Sequence, residues 1–288
     1  MLMDGAVADW VHRLGECGYV ADANVGAAIY LSILLRRPLL VEGPAGVGKT
    51  MLAKALATSM GKPLIRLQCY EGLDATHALY DWNYPKQLLA ARNAANTDFR
   101  VDSVYSWDYL IERPLLKAIR TSPSPVLLID EVERADEDFE ALLLELLGEF
   151  QVTIPELGTI TSPQPPSVIL TSNRTRELSD ALRRRCLYLW LDYPDVDRET
   201  AILEATVPQL SSDLAAQIVL AIKRLRGWDL VKPPGIAESI DWASTVAEVG
   251  QQALSEAIIR WTLSAVIKTH EDWRIVEGYG LKTLWRMN

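Results

Sequence analysis

Residues 43–50 read Gly-Pro-Ala-Gly-Val-Gly-Lys-Thr and match the phosphate-binding loop pattern G-x-x-x-x-G-K-[ST]. Glycines without a Cβ atom let successive backbone N–H groups surround phosphate oxygens, and the positive end of the following helix adds to their field. Lys49 supplies a charge for the β- and γ-phosphates, and the Thr50 hydroxyl is the expected Mg²⁺ ligand. The alternative is a strand-to-helix turn that contains Lys-Thr by chance. Because an apolar run ends at Val41 and a helical pattern begins at Thr50, the sequence favours a nucleoside triphosphate site. The predicted nucleotide contacts are Gly43, Pro44, Ala45, Gly46, Val47, Gly48, Lys49, Thr50 and Met51.

Two acidic residues, Asp130 and Glu131, close the apolar run 126–129, which has the pattern of a strand buried on both faces. If this strand lies beside the phosphate loop, Asp130 can hold Mg²⁺ through a water molecule and Glu131 can polarise the attacking water. The alternative is that two acids merely end a strand. The phosphate loop upstream favours the catalytic interpretation.

Asn173 and three consecutive arginines complete the candidate site. Asn173 follows the apolar run 167–172 and would orient a water molecule against the γ-phosphate, although asparagine is also a common turn residue. Arg183, Arg184 and Arg185 end a predicted helix. They are either a solvated helix terminus or a source of an arginine finger that reaches a neighbouring subunit's nucleotide. Their spacing from Asn173 favours the finger.

The elements that must position these residues alternate between strands and helices, which predicts an α/β fold with a parallel sheet sandwiched by helices. The predicted strands are 39–41, 63–69, 126–131, 167–173 and 187–191, and residues 151–155 could open a hairpin. Helices are predicted at 50–57, at 114–120 and after Asp136. Residues 70–110 are irregular and aromatic and are interpreted as an insertion with short helices.

The pattern changes at Asp192-Tyr193-Pro194, after which only helical periodicity is found. We therefore predict a nucleotide-binding core at 1–192 and a small all-helical lid domain at 193–288. Three apolar stripes support the second domain. They are Leu214, Ile218, Ile222 and Leu225; Ile236, Ile240, Ala243 and Ala247; and Leu254, Ile258, Trp261 and Ala265.

Composition excludes several other classes of protein. The 288 residues are 49% hydrophobic and 23% charged, which is typical of a soluble chain with one or two domains. A formal net charge of −9 makes nucleic acid an unlikely main partner. Neither a membrane span nor a signal peptide pattern is visible, and three scattered cysteines and three scattered histidines suggest no disulfide framework or zinc site. The sequence thus predicts a cytoplasmic protein.

The order of these parts along the chain resembles that of the AAA+ ATPases. The parts are the phosphate loop, the Asp-Glu strand, the strand that ends at Asn173, the helix that ends in arginines and the helical appendage. Within the AAA+ ATPases, residues 130–135 (Asp-Glu-Val-Glu-Arg-Ala) and 151–154 (Gln-Val-Thr-Ile) resemble the MoxR group. The runs 67–74, 181–186 and 233–238 look closest to the branch with the carbon monoxide dehydrogenase accessory ATPase (CoxD-like). The resemblance covers roughly residues 18–272.

The resemblance implies properties that the residues alone do not. Members of this group hydrolyse ATP with Mg²⁺ in rings, usually hexamers, and Arg185 best matches the finger position, with Arg184 next to it. Tyr19 and Val20 resemble the segment that packs on adenine. Members act as chaperones that remodel or activate partner proteins, often metalloenzymes, together with a von Willebrand factor A domain protein. A molybdenum enzyme is the client that the CoxD-like branch suggests.

Two further features of the resemblance bear on mechanism. Residues 74–84 resemble an extra element that contacts client protein, although their aromatic residues could equally be packing. Many AAA+ proteins carry a second sensor arginine at a position that matches Ala237 here, so that arginine is absent or supplied elsewhere.

Two alternative functions share the phosphate loop. A nucleic-acid motor or loader on the same scaffold is disfavoured by the acidic net charge. A small-molecule kinase is disfavoured by Glu131 as a water activator and by the all-helical appendage.

Overall fold

The computed structural model describes residues 2–93 and 104–285 and divides the chain into two compact units. The first unit takes in residues 1–13, 22–42 and 50–190, and the second takes in 14–21, 43–49 and 191–288. Each unit has its own cluster of buried apolar side chains. The phosphate loop, residues 43–49, belongs to the second unit although the chain on both sides of it belongs to the first.

A five-stranded parallel sheet forms the centre of the first unit, with strand order β2-β5-β8-β1-β9. Its strands are β1 (Leu39–Glu42), β2 (Leu64–Gln68), β5 (Val126–Asp130), β8 (Ser167–Ser172) and β9 (Leu187–Trp190). All five residues of β5 are buried, as its unbroken apolar run predicts. The predicted parallel sheet is confirmed, and each strand matches its predicted segment closely.

Helices flank this sheet along the chain. They are α1 (Leu2–Glu16), α2 (Ala23–Leu35), α3 (Lys49–Ser59), α4 (Ala75–Ala78), α5 (Tyr84–Asn93), α6 (Pro114–Arg120), α7 (Glu137–Glu149) and α8 (Asp180–Arg185). Asp136 caps α7 as predicted, because its side chain accepts a hydrogen bond from the Phe139 N–H at 2.9 Å. Pro114 stands at the first turn of α6, where its missing N–H costs no hydrogen bond.

The predicted insertion at 70–110 contains more than short helices. Besides α4 and α5, strands β3 (Tyr80–Trp82) and β4 (Leu110–Glu112) pair antiparallel. These strands have three residues each, so they lack a periodic pattern that a sequence could reveal. Part of the insertion, residues 94–103, lies outside the described residues. A second hairpin, β6 (Gln151–Ile154) with β7 (Gly158–Thr161), matches the one predicted after Gln151.

The second unit contains further helices after residue 191. They are α9 (Val196–Thr206), α10 (Ser212–Arg226), α11 (Ile236–Glu248), α12 (Glu256–Thr262), α13 (His270–Tyr279) and α14 (Lys282–Trp285). The four stripe residues of α10 are buried, as predicted. The third predicted stripe is wrong at Trp261, whose exposed fraction is 72%. The buried positions of α12 are Ile258, Ile259 and Thr262, so the buried face of this helix does not include position 261. Within the described part of the chain, no helix has the length and apolar character to cross a membrane.

Candidate functional site

The polar residues of the candidate site lie where the parallel strands of the sheet end. Strands β2, β5, β8 and β1 end at Gln68, Asp130, Ser172 and Glu42. Because these strands run in one direction, their carboxyl ends lie side by side along one edge of the sheet, and their amino ends lie along the opposite edge. Ligands of open α/β sheets bind outside such an edge.

Thr50 and Asp130 form the centre of this edge in the first unit. The Thr50 hydroxyl lies 3.2 Å from each carboxylate oxygen of Asp130. Asp130 is buried with an exposed fraction of 3%, and Arg66 donates hydrogen bonds to its Oδ2 from Nε at 3.0 Å and Nη2 at 2.6 Å. A buried carboxylate needs such donors because desolvation is costly for an unpaired charge.

Glu131 sits in a backbone conformation that is rare for residues other than glycine. Its φ of 55° and ψ of 50° place it in the left-handed region, which costs free energy for a residue with a side chain and recurs at functional sites. The Glu131 N–H donates to Thr171 Oγ1 at 3.0 Å. Its Oε2 accepts from Gln68 Nε2 at 3.1 Å and from Arg134 Nη1 at 3.0 Å. The side chain is thus held in one position beside Asp130.

One hydroxyl group links the two acidic residues. Thr171, fully buried in β8, donates its Oγ1 hydrogen to Asp130 Oδ1 and accepts from the Glu131 N–H. Because β8 pairs with β5, Thr171 lies next to the end of the Asp-Glu strand. Its hydroxyl therefore fixes the carboxylate of one acid and the backbone of the other.

Asn173 follows β8 at the same edge. Its backbone N–H donates to Glu133 Oε1 at 2.9 Å, and Glu133 is buried. Glu133 is therefore a positioning residue for the Asn173 backbone, and the sequence analysis did not identify it. Arg176 donates to the Glu133 carbonyl from Nε at 3.1 Å, which ties the turn after Asn173 to the turn after Glu131.

A buried thiol lies behind the acidic residues and takes no part in the chemistry. Burial, followed by the nearby negative charges of Glu133, Asp130 and Glu131, raises the pKa of Cys69 to about 12. The thiol stays protonated at neutral pH. Cys69 is therefore not a nucleophile.

The phosphate loop, in the second unit, has an ordered conformation of its own. Lys49 donates from Nζ to the carbonyl oxygens of Gly43 and Pro44, each at 2.7 Å. Tyr19 lies beside the loop, since a Cβ atom added to Gly48 would be 3.7 Å from Tyr19 Cε2. The Val20 carbonyl accepts from Arg198 Nε at 3.0 Å and Nη2 at 2.7 Å. Within this unit, the predicted adenine and phosphate segments are therefore neighbours.

The three consecutive arginines divide into one structural residue and two exposed ones. Arg183 Nη2 lies 2.7 Å from Glu42 Oε1, and Glu42 is buried with an exposed fraction of 2%. The hydrogen bond to Glu42 raises the pKa of Arg183, so this guanidinium stays charged. Arg184 and Arg185 are exposed.

Helix α8 carries Arg184 and Arg185 to the edge of the sheet opposite the acidic residues. Arg37 donates to the carbonyl oxygens of Arg184 at 2.6 Å, Arg185 at 3.2 Å and Cys186 at 3.1 Å. Arg37 directly precedes Pro38 and β1, and Cys186 directly precedes β9, so this contact lies where the two strands begin. Arg36, Arg37, Arg184 and Arg185 line part of an open cavity of about 840 Å³ there.

The structure therefore brings some predicted residues together and separates others. Thr50, Asp130 and Glu131 lie at one edge of the sheet with Asn173, and Met51 follows Thr50 with an exposed fraction of 46%. Arg184 and Arg185 do not join them in the same chain. The sequence alone did not reveal the partners of the acids, which are Arg66, Gln68 and Thr171, or the partner of the Asn173 backbone, which is Glu133.

The oxygen atoms of Thr50 and Asp130 suit a magnesium ion. Mg²⁺ prefers hydroxyl, carboxylate and water oxygens, and it is bound by one or two protein groups together with substrate phosphates. A hydroxyl at 3.2 Å from both oxygens of a buried carboxylate fits that pattern.

Comparisons with known proteins agree with this geometry. The sequence profile of the AAA domain (dynein-related subfamily) matches residues 38–186. The denitrification regulatory protein NirQ of Stutzerimonas stutzeri is 26% identical over 203 residues, which cover 67% of this chain and 66% of NirQ. Protein NorQ of Paracoccus denitrificans is 25% identical over 197 residues, which cover 66% of this chain and 65% of NorQ. This chain thus spans slightly less than two thirds of the length of these relatives.

A solved structure has the same fold. A proline-to-glycine mutant of RuvB from Thermotoga maritima superimposes with a TM-score of 0.51 at 19% identity. The match covers 84% of this chain and 67% of that one.

Proposed function

The chain belongs to the AAA domain family, in its dynein-related subfamily, and from this premise we propose that it is a ring-forming ATPase that remodels a partner protein complex. Nucleotide binding and ATP hydrolysis follow from the family, and NirQ and NorQ are AAA+ ATPases of the MoxR group. The prediction of a MoxR-type AAA+ ATPase is therefore confirmed at this level. The CoxD-like branch stays a prediction.

The observation that carries the catalytic part of the proposal is the arrangement of Thr50, Asp130 and Glu131. Thr50 and Asp130 would hold Mg²⁺, which supplies charge neutralisation on the β- and γ-phosphates. Glu131 would accept a proton from the attacking water, and Asn173 would orient that water. Lys49 would leave the carbonyl oxygens of its own loop to contact the phosphates, while Tyr19 and Val20 would pack on adenine.

The position of Arg184 and Arg185 supports a composite active site. They lie at the edge of the sheet where β1 and β9 begin, whereas Asp130 and Glu131 lie where β5 ends. An arginine there is better placed to act on a neighbouring subunit's nucleotide than on its own. We therefore assign the finger to Arg185 with Arg184 beside it, in a ring that we propose to be a hexamer. Arg183 is not assigned as the finger, because it forms an ion pair with the buried Glu42.

The wider role follows from the relatives. NirQ is named as a denitrification regulatory protein, and MoxR-type ATPases act on partner proteins. The proposed role is activation of a metalloenzyme, such as a molybdenum enzyme, together with a von Willebrand factor A domain protein. Residues 1–192 would form the ATPase core and residues 193–288 the lid, with the protein acting in the cytoplasm.

Replacing Glu131 tests the catalytic assignment. In Glu131→Gln we expect ATP binding to be retained and hydrolysis to fall by about 10² to 10⁴, because the general base is lost while the nucleotide contacts remain. Isothermal titration with ATP and a phosphate-release assay measure the two properties. Glu137→Gln, which removes an exposed negative charge on α7, is the matched control and should hydrolyse ATP normally. Hydrolysis at the wild-type rate by Glu131→Gln would refute the assignment.

A further inference from the structure

The phosphate loop contacts the start of helix α11 through two glycines within the second unit. The N–H of Ile236, the first residue of α11, donates to the Gly46 carbonyl oxygen at 2.8 Å. A Cβ atom added to Gly46 would lie 2.8 Å from the Gly235 Cα. One added to Gly235 would lie 2.7 Å from the Gly46 Cα and 3.0 Å from the Gly46 oxygen. The two backbones are therefore in direct contact, with no space for a side chain.

The two glycines are required for different reasons. Gly46 has a φ of +77°, a conformation that glycine adopts without strain. Gly235 has a φ of −83° and a ψ of −174°, which any residue can adopt. Glycine is also not the best residue at its position, because serine, asparagine and aspartate lead at helix N-caps. The close approach to Gly46 is what remains to explain the lack of a side chain at Gly235.

The Gly235 turn is firmly attached to the helices that follow. Its own N–H donates to Glu238 Oε2 at 2.9 Å, and the preceding Pro234 carbonyl accepts from Arg226 Nε at 2.7 Å. Arg226 also forms a bidentate ion pair with Glu199 at 2.6 and 2.8 Å, and the exposed fraction of the Glu199 side chain is 1%. A displacement of the turn would therefore disturb a buried ion pair in the core of this unit. Breaking such a pair is strongly destabilising, so the turn is held in place.

We propose that the Gly46–Gly235–Ile236 contact, referred to below as the glycine contact, couples phosphate occupancy of the loop to helix α11. This chain has Ala237 at the position that matches the second sensor arginine, so the glycine contact would provide the coupling without that arginine. The inference rests on the proposed function, in which residues 193–288 form the lid. The same loop that would wrap the phosphates uses its Gly46 carbonyl to hold the first N–H of α11, so a change in loop conformation alters the start of that helix. Gly235 and Ile236 are positioning residues in this scheme.

Two variants disrupt the glycine contact, and two further variants are their controls. Gly235→Ala adds one methyl group that must displace Gly46. Ile236→Pro removes the donor N–H, and proline is well tolerated at the first position of a helix. Gly278→Ala is the matched control, because a Cβ atom at Gly278, within α13, meets nothing within 4 Å. Ile236→Val retains the N–H and controls for the side chain.

Hydrogen–deuterium exchange of the full chain, with and without the non-hydrolysable analogue AMP-PNP and Mg²⁺, tests the proposal. In wild type, Gly278→Ala and Ile236→Val, we expect the analogue to slow exchange at both 43–50 and 236–248. In Gly235→Ala and Ile236→Pro, saturating analogue should still slow exchange at 43–50, but the slowing at 236–248 should be lost. A thermal melt of each variant identifies any that fails to fold. One folded protein of the pair Gly235→Ala and Ile236→Pro is enough for the test.

Two results would overturn the inference. One is slowing at 236–248 in a folded Gly235→Ala or Ile236→Pro protein equal to that of wild type. The other is a wild-type protein in which the analogue slows exchange at 43–50 but leaves 236–248 unchanged. ATP hydrolysis measured on the same wild-type preparation tests the proposed function separately, because hydrolysis can be present whether or not α11 responds.

Discussion

At the scale of single residues, catalysis in the proposed site would depend on how firmly the two acids are held. Asp130 needs a fixed carboxylate, and Glu131 needs a backbone kept in the left-handed region. The Thr171 hydroxyl serves both needs with two hydrogen bonds and is fully buried. A threonine in a strand core thus acts as a positioning residue for both candidate catalytic groups.

Replacement of Thr171 by valine, which has nearly the same shape, removes both hydrogen bonds. An unsatisfied buried polar group costs about 1–3 kcal/mol. If the stabilisation of the transition state falls by that free energy, kcat should fall about 10- to 100-fold. Steady-state ATP hydrolysis measures the effect. Thr171→Ser keeps the hydroxyl and should retain most of the activity. A Thr171→Val enzyme within twofold of wild type would show that the hydroxyl does not position the acids.

The sequence could identify Thr50, Asp130 and Glu131 because each belongs to a local pattern with its own mechanism. It could not identify Thr171, Gln68 or Arg66, since their role depends on which strands pair and in which register. Gln68, for example, lies beside Asp130 only because β2 pairs with β5. Such pairings join residues that are distant in sequence, and one sequence does not reveal them.

At the scale of elements, helix α8 shows how a short helix can present a candidate catalytic side chain. It has six residues, which is too short to be stable alone. Ser179 caps its beginning by accepting from the Leu182 N–H at 3.3 Å, and Arg37 binds the carbonyl oxygens at its end. Arg37, from the segment before β1, therefore fixes the direction in which Arg184 and Arg185 leave the helix.

Removing Arg37 should affect turnover more than nucleotide binding. In Arg37→Ala we expect kcat to fall about tenfold or more, because charge-assisted hydrogen bonds to three carbonyl oxygens are lost and the helix end frays. The ATP affinity should stay unchanged, since Arg37 lies at the opposite edge of the sheet from Asp130. Hydrolysis kinetics and ATP titration separate the two effects. Arg36→Asn removes the same charge one residue earlier and is the control. Equal losses of kcat in Arg37→Ala and Arg36→Asn would mean that the missing positive charge, and not the lost hydrogen bonds, lowers turnover.

Prediction of the elements succeeded where a pattern extends over enough residues. The buried strands 126–130 and 167–172 are continuous apolar runs that end in polar residues, and the predicted hairpin after Gln151 is present. It failed for β3 and β4, which are too short to show a period, and for Trp261, because the buried face of α12 is formed by Ile258, Ile259 and Thr262. The assignment of 43–49 to the same unit as the later helices was also not predictable, because it follows from contacts such as that between Ile236 and Gly46.

At the scale of the whole molecule, the proposed active site needs residues from two chains. The residues proposed to bind Mg²⁺ and activate water lie at one edge of the sheet, and the two exposed arginines of α8 lie at the other. The proposed ring would place the second edge of one subunit against the first edge of the next, so that every nucleotide would have both. Hydrolysis would then depend on assembly, because the proposed finger acts between subunits.

The most direct measurement of this account is ATP hydrolysis by a mixture of two inactive variants. Glu131→Gln lacks the water activator, and the Arg184→Ala/Arg185→Ala double variant lacks the finger, so each should be inactive alone. When mixed in equal amounts and allowed to assemble together, they should regain about a quarter of the wild-type rate, since that share of interfaces pairs an intact Glu131 with an intact arginine. Co-assembly is verified by energy transfer between labelled subunits. A co-assembled mixture without activity, or a double arginine variant that is fully active alone, would contradict the account.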